Sequence, residues 1–229
     1  MGAVRILVDR TGELIVPCAS GEQIVIQIFR TATIMLLVMT TLTGLVYPVA
    51  ITVIGQVVFP FAANGSLMTQ KQDSSTRLIG SGLVGQPFND AKYFWSRPSS
   101  TAPFAYNGLG GSGSNLGPTN PMLLDAVKER VAKLKSNDPE NTATIPVDLV
   151  TTSASGLDPH ISEAAARYQV SRVARLRQIE PKTLERLVEK YLELPTAGIF
   201  GQARVNVLKL NLDLDQLDSQ VSMPTSANE

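Results

Sequence analysis

The chain has 229 residues, and its 20 basic and 20 acidic side chains cancel. That balance leaves neither the basic footprint of a nucleic-acid binder nor a polybasic face for anionic lipid. A single cysteine excludes an internal disulfide framework, and with His160 the only histidine, any His-based metal site or Ser–His triad would rest on it alone.

Residues 1–30 carry a modestly apolar, alternating pattern, with Leu14-Ile15-Val16 and Ile24-Val25-Ile26 between three arginines and three acids. They read as a short extension, either a small hairpin or an over-long start of the reading frame. Cys18 follows Pro17 and lacks the small-residue context of a lipoprotein cleavage site, so it reads as an incidental thiol.

From Thr31 to Gln70 there is no charged residue, and the apolar part runs from Ile34 to Phe61. A spanning helix needs about 20 mainly apolar residues, so residues 31–61 predict one transmembrane helix. The run ends at Pro60-Phe61 without the small-residue site of a cleaved signal, and the helix is expected to stay attached. Pro48 lacks an N–H and predicts a bend near Gly44. Gly44, Pro48, Thr52 and Gly55 form a stripe of small and hydroxyl residues, flanked by Thr40 and Tyr47. Such a stripe suits close approach of another helix, although transmembrane helices tolerate Gly, Pro and Thr in any case. Arg30 abuts the helix, while Lys71 and Arg77 lie further from its other end, which favours an N-terminus inside.

The middle, from Asn64 to Pro121, is rich in Gly, Ser, Pro and Asn. Residues 77–84 predict two short strands around a Gly turn. Residues 93–98, Tyr-Phe-Trp-Ser-Arg-Pro, group three aromatics with an arginine. They form either a packed aromatic–Arg cluster or the one place where a membrane-tethered enzyme or ligand-binding module could build a pocket. The Gly-rich run 107–121 invites a phosphate-binding reading at Gly111, Ser112, Gly113 and Ser114. It lacks the Gly-Lys-Ser/Thr ending of a P-loop, and a tight structural loop fits better.

Asn120 as N-cap and Pro121 at N1 predict a helix through Lys135, with Leu124, Val127, Val131 and Leu134 as its apolar stripe and Glu129–Lys133 as a surface pair. Residues 145–152 read as a strand. Ser162 caps a short helix to Tyr168, and Ser171 a second through Arg177, whose arginines form a solvated face. Pro181 opens the clearest helix, with Leu184, Leu187, Val188, Tyr191 and Leu192 in phase. Residues 204–212 read as a final strand with a phase slip near Val207. Asp158-Pro-His160-Ile-Ser162 reads as a turn and helix start, and the acids of 213–218 lack the Gly and closing Glu of a calcium loop. Together these elements give a single N-terminal transmembrane helix plus one α/β (α+β) extramembrane domain over 62–218, with 219–229 as a disordered tail.

Several motifs carry a specific resemblance: Gly-Ser-Gly-Leu-Val-Gly-Gln at 80–86, Tyr-Phe-Trp-Ser-Arg-Pro-Ser at 93–99, Ser-Gly-Ser-Asn-Leu-Gly-Pro-Thr-Asn-Pro at 112–121 and Val-Thr-Thr-Ser-Ala-Ser-Gly-Leu-Asp-Pro-His-Ile-Ser at 150–162. With Thr-Gly-Leu-Val-Tyr-Pro at 43–48 and Gly-Gln-Ala-Arg-Val-Asn-Val-Leu at 201–208, the chain resembles the C subunit of the Kdp-type potassium-transporting P-type ATPase from Phe29 to Leu217. Residues 107–113 depart from it, since that family reads closer to Asn-Pro-x-x-Ser-Gly-Gly.

The resemblance implies a non-catalytic accessory subunit of an ATP-driven, high-affinity potassium importer of the bacterial inner membrane. Such a subunit would be needed for assembly and act as a catalytic chaperone that raises the ATP affinity of the P-type ATPase subunit. Its implied partners are that subunit, a channel-like potassium-binding subunit and a small peptide subunit, with the N-terminus cytoplasmic and the domain outside. The chain lacks Asp-Lys-Thr-Gly, the phosphorylated sequence of P-type ATPases. No cofactor of its own is implied. ATP belongs to the complex, possible direct contact being through the 107–121 loop, and potassium is the transported ion. Tyr93, Phe94, Arg97, Asn115 and Asn120, within the shared motifs, are candidate contacts of the outer domain.

Overall fold

A backbone that enters lipid must satisfy its own polar groups, and the first long element does so as a helix. In the computed structural model, residues 7–8, 14–15, 21–72 and 75–221 are described, in two units that divide after Ala63. Cys18 and residues 222–229 of the expected tail lie outside them. In the first unit, β1 (Leu7–Val8) and β2 (Leu14–Ile15) pair antiparallel, as in a hairpin. Helix α1 (Gly21–Thr41) starts well before the uncharged run and carries Glu22 and Arg30 within it. It continues through a wide π turn (Leu42–Val46) into α2 (Tyr47–Val58), and α3 (Pro60–Ala63) follows.

The stretch Glu22–Val58, 37 residues, is long and apolar enough to cross a membrane, and none of it is buried in the chain's own fold. At about 1.5 Å per residue it is roughly 55 Å long, well beyond the ~30 Å of a hydrocarbon layer. The irregularity expected from Pro48 takes the form of the π turn. With no N–H at Pro48, the hydrogen-bond ladder widens just before it, and the Tyr47 N–H donates to the Leu42 carbonyl.

In the second unit, β3 (Leu67–Gln72) and β4 (Ser75–Ser81) form an antiparallel pair with a register shift between Met68 and Thr69. The expected Gly turn within 77–84 is therefore the end of β4, whose partner is the preceding strand. Helix α4 (Pro121–Asn137) opens as read, the Asn120 side chain accepting from the Met122 N–H. Its stripe packs Val127, Val131 and Leu134 on the core, while Leu124 stays half exposed. Lys133 lies over the Trp95 ring, 5.0 Å from its centroid, rather than pairing with Glu129.

Residues 145–152 make no strand. Pro146 has no donor for a ladder, and a 3₁₀ turn forms at Val147–Leu149. A short strand β5 (His160–Ser162) leads into one helix, α5 (Glu163–Arg177), where two had been expected, because Ser171 faces Asp138 instead of capping. Ser162 caps α5 by accepting from the Ala165 N–H. Helix α6 (Pro181–Lys190) buries Leu184, Leu187 and Val188.

The last expected strand is a strand only at its start. Strands β6 (Leu192–Glu193) and β7 (Arg204–Asn206) join β5 in the order β5-β7-β6, all antiparallel, and the chain turns into α7 (Val207–Val221) at the predicted phase slip. Helices α5, α6 and α7 pack with this small sheet around a core that includes Phe94, Ile161, Val173, Leu184, Leu210 and Leu214.

Asp138 closes α4 and shows how the domain holds a buried charge. Its carboxylate accepts from Ser171 Oγ at 2.7 Å, Asn141 Nδ2 at 3.1 Å and Arg175 Nη1 at 2.7 Å. Burial works to raise its pKa, but these hydrogen bonds and the Arg175 charge outweigh burial and hold it below the usual carboxylate value. A depressed carboxyl stabilises the fold above its unfolded pKa and loses that contribution as pH falls through the folded one. Asp138→Asn is therefore expected to cost about 1–3 kcal/mol at neutral pH, with the deficit shrinking below about pH 4. Urea melts of the two proteins across pH check this; a deficit that stays constant down to pH 3 contradicts it.

Candidate functional site

Two regions gather the residues singled out by the sequence: one face of the membrane-length helix, and the extended segment 93–97 with the loops around it. In α2, Pro48, Thr52 and Gly55 follow regular α spacing and share a face. Thr40 precedes Thr52 by a stretch that unbroken α geometry would set about 120° off. The residue inserted by the π turn brings Thr40 back to within about 20° of Thr52, and leaves Tyr47 about 140° away. Gly44 sits inside the π turn, and a Cβ added there would meet nothing within 4 Å. The Thr52 hydroxyl donates back to the Pro48 carbonyl at 2.7 Å, which satisfies a backbone acceptor within the helix. The face is thus narrow, small and internally hydrogen-bonded, suited to a close helix neighbour.

The segment 93–97 is held from both sides by amide side chains, much as neighbouring strands would hold it. The Phe94 N–H donates to Asn211 Oδ1 at 3.0 Å and its carbonyl accepts from Asn211 Nδ2 at 2.9 Å. Gln169 does the same for Trp95, at 2.7 Å and 3.1 Å. Arg172 lies 4.1 Å from the centre of the Trp95 ring and donates to the carbonyls of Ala91 and Tyr93 and to Gln169 Oε1. Arg177 stacks on Tyr93 at 4.6 Å and pairs with Asp215 at 2.8 Å, and Asp215 also accepts from the Tyr93 hydroxyl.

The expected solvated face of α5 is therefore corrected. Arg172 is 2% exposed, and the Arg177 side chain 3%. Both turn inward, where they donate to the main-chain carbonyls of Ala91, Lys92 and Tyr93. Burial lowers the Arg172 pKa to about 10, still far enough above neutrality to keep it charged. The aromatic–Arg reading of 93–98 stands as packing, with Phe94 fully buried and the arginines supplied by α5 rather than by Arg97.

The Gly-rich run is spent on loop packing. A Cβ on Gly113 would come within 2.7 Å of the Ala154 carbonyl, and one on Gly156 within 2.6 Å of the Ser112 carbonyl. Gly111 likewise backs onto Ser155 and Leu157. The backbone of Gly111, Ser112 and Gly113 thus leans on the 154–157 loop, and Ser112 Oγ donates to the Gly113 carbonyl at 3.1 Å. Ser114 lies well before the N-cap Asn120, so the four candidates 111–114 are not at a helix N-terminus, where an anion would be cradled. Asn115 adopts a left-handed φ of 50°, and Asn120 is occupied as a cap.

Arg97 leads into a polar chain that sequence reading passed over. Its Nη1 pairs with Asp158 Oδ2 at 3.2 Å and its Nη2 donates to the Thr152 carbonyl at 3.2 Å, while its buried Nε has no partner among the described residues. Asp158 faces His160 Nδ1 at 3.4 Å, and His160 Nε2 faces Glu193 at 3.7 Å, which also binds Arg204 and Lys209. Burial pushes Asp158 up, but the hydrogen bonds from His160 and the Arg97 charge outweigh it and hold the carboxyl below its usual value. The sequence did carry one signal: Asp158 and His160 are two apart in an extended stretch, so both side chains leave the same side. Their partner Glu193 is distant in sequence, which hid the rest.

One exposed apolar helix of membrane-crossing length, joined to a mixed helix-and-sheet domain, defines the class of the chain: a single-span membrane protein with one α/β domain. Residues 29–216 match the model of the KdpC family, the c chain of K+-transporting ATPase, and the chain belongs to that family. It is 57% identical over 189 residues to the potassium-transporting ATPase KdpC subunit of Methylococcus capsulatus, covering 82% of this chain and 97% of that protein. The subunit of the same description from Sorangium cellulosum is 53% identical over 186 residues, 81% of this chain and 96% of that one. That from Polaromonas naphthalenivorans is 52% identical over 190 residues, 83% and 95% of the two chains.

Proposed function

We propose that the chain is the non-catalytic accessory subunit of an ATP-driven potassium importer, required for assembly and raising the ATP affinity of the P-type ATPase subunit. The observation that carries this reading is that the family match spans both the apolar helix and the domain, over 29–216. Partners under this reading are the P-type ATPase subunit, the channel-like potassium-binding subunit and the small peptide subunit. The chain sits once in the bacterial inner membrane, N-terminus in the cytoplasm and domain outside.

On that side of the membrane there is no ATP, and about 30 Å of hydrocarbon separates the domain from the hydrolysing machinery. The influence on ATP affinity is then a coupling through the membrane helices, of the usual 1–3 kcal/mol. The face of Pro48, Thr52 and Gly55, extended by Thr40 across the π turn, is where the helix docks. The packing of the Gly-rich run onto 154–157 supports this route over direct contact of the 107–121 loop with nucleotide.

The test is expression of the complex with Gly44→Leu and Thr52→Leu in this chain. Recovery of the assembled complex is expected to fall at least about fivefold, with the span still inserted. In intact cells, protease added outside is expected to cleave the domain. Unchanged recovery together with an inaccessible domain rejects the reading.

A further inference from the structure

Helix α4 places Arg130 and Lys133 three residues apart, on one face and about one turn from each other. Both border a cleft of about 300 Å³, walled by Trp95, Tyr106 and Phe88, whose lining holds a third cation, Arg97, and neither Asp nor Glu. Arg97 is committed to Asp158. The other two are not matched by acid: Arg130 donates Nη1 to the Val150 carbonyl at 2.8 Å, and Lys133 lies over the Trp95 ring. Neither has a carboxylate within 4 Å among the described residues. The acid whose charge Arg130 feels is Glu129, beside it on α4 and outside the lining.

Two like charges a turn apart repel, and the repulsion grows where one is part-buried. The fork of Arg130 keeps Nε and Nη2 for another acceptor, and Lys133 keeps its ammonium protons, since a ring face accepts none of them strongly. An anion between the two relieves the repulsion and takes up those donors at once. Tyr106 donates its hydroxyl to the Arg97 carbonyl and fixes the far wall.

We propose that this cleft binds a compact oxyanion, a phosphate or a small carboxylate, held between Arg130 and Lys133 against the Trp95 ring. The size of the cleft and the aromatic walls select a small, flat or tetrahedral group over an extended chain.

Trp95 is the only tryptophan of the chain, so its emission reports the cleft directly. The full-length protein in detergent is titrated with inorganic phosphate and, separately, with succinate, at ionic strength matched by sodium chloride. Saturable change with either probe is the expected result, and the probe that saturates identifies the anion class. Lys133→Gln, on the exposed side of α4, is expected to weaken the midpoint at least about tenfold, and Arg130→Gln similarly. Lys182→Gln on the exposed face of α6 leaves the midpoint unchanged. The proposal is overturned if neither probe saturates, if chloride alone reproduces the response, or if Lys133→Gln binds as tightly as the parent.

Discussion

Arg172→Ala is expected to lower the thermal midpoint of the domain by about 10 °C. The substitution strips hydrogen-bond donors from the carbonyls of Ala91 and Tyr93 and from Gln169, and removes the cation stacked on Trp95. Breaking a buried charged network by deleting one member costs about 3–5 kcal/mol. For a domain of this size each kcal/mol moves the midpoint by about 2–4 °C. Lysine at the same position is expected to recover only part, because a single ammonium cannot serve three acceptors set in a fork. Melts of the full chain followed by Trp95 emission provide the measurement. A shift under about 2 °C for Arg172→Ala would mean that the guanidinium holds nothing.

The second large effect is expected at Gly156. Its φ of +67° lies in the left-handed region, and an added Cβ would fall 2.6 Å from the Ser112 carbonyl and 2.7 Å from Thr101 Cγ2. Gly156→Val combines backbone strain with two contacts that cannot both relax, for a loss of about 3–5 kcal/mol. Gly117→Ala is the matching control, since a Cβ there meets nothing within 4 Å. In urea, Gly156→Val is expected to shift the midpoint strongly at constant slope, while Gly117→Ala stays within about 0.5 kcal/mol of the parent. Equal midpoints for the two variants would show that the loops at 112 and 156 part freely.

Where a structural signal is local, the sequence carried it plainly. Asn120-Pro121 announces the start of α4, Ser162 that of α5, and the spacing of Leu184, Leu187 and Val188 the buried face of α6. The segment 204–221 was harder because two periods overlap in it. Leu208, Leu210, Leu212 and Leu214 alternate as a strand would, yet Val207, Leu210, Leu214 and Leu217 recur as a helix does, and packing decided for the helix.

The inward turn of Arg172 and Arg177 had no local signature. Their acceptors at 91–93 lie about 80 residues upstream, and an Arg-rich helix face looks the same whether it meets water or buried carbonyls. Of the candidate contacts, Tyr93 and Phe94 bond to α7 within the domain and Asn120 caps α4.

The amide clamp on Phe94 also sets an order of events during synthesis. Asn211 grips Phe94 across 117 residues, Asp215 grips Tyr93 across 122, and Asn206 donates to the Gly82 carbonyl across 124. A nascent chain has long since delivered its apolar helix when these grips become available, because they come from β7 and α7. Gly82, Tyr93 and Phe94 keep these partners only once β7 and the first half of α7 have been made. At elongation speeds of about 5–20 residues per second the wait lasts about 6–25 seconds. A stop codon anywhere before Asn206 therefore removes all three grips at once, leaving Gly82, Tyr93 and Phe94 without these partners.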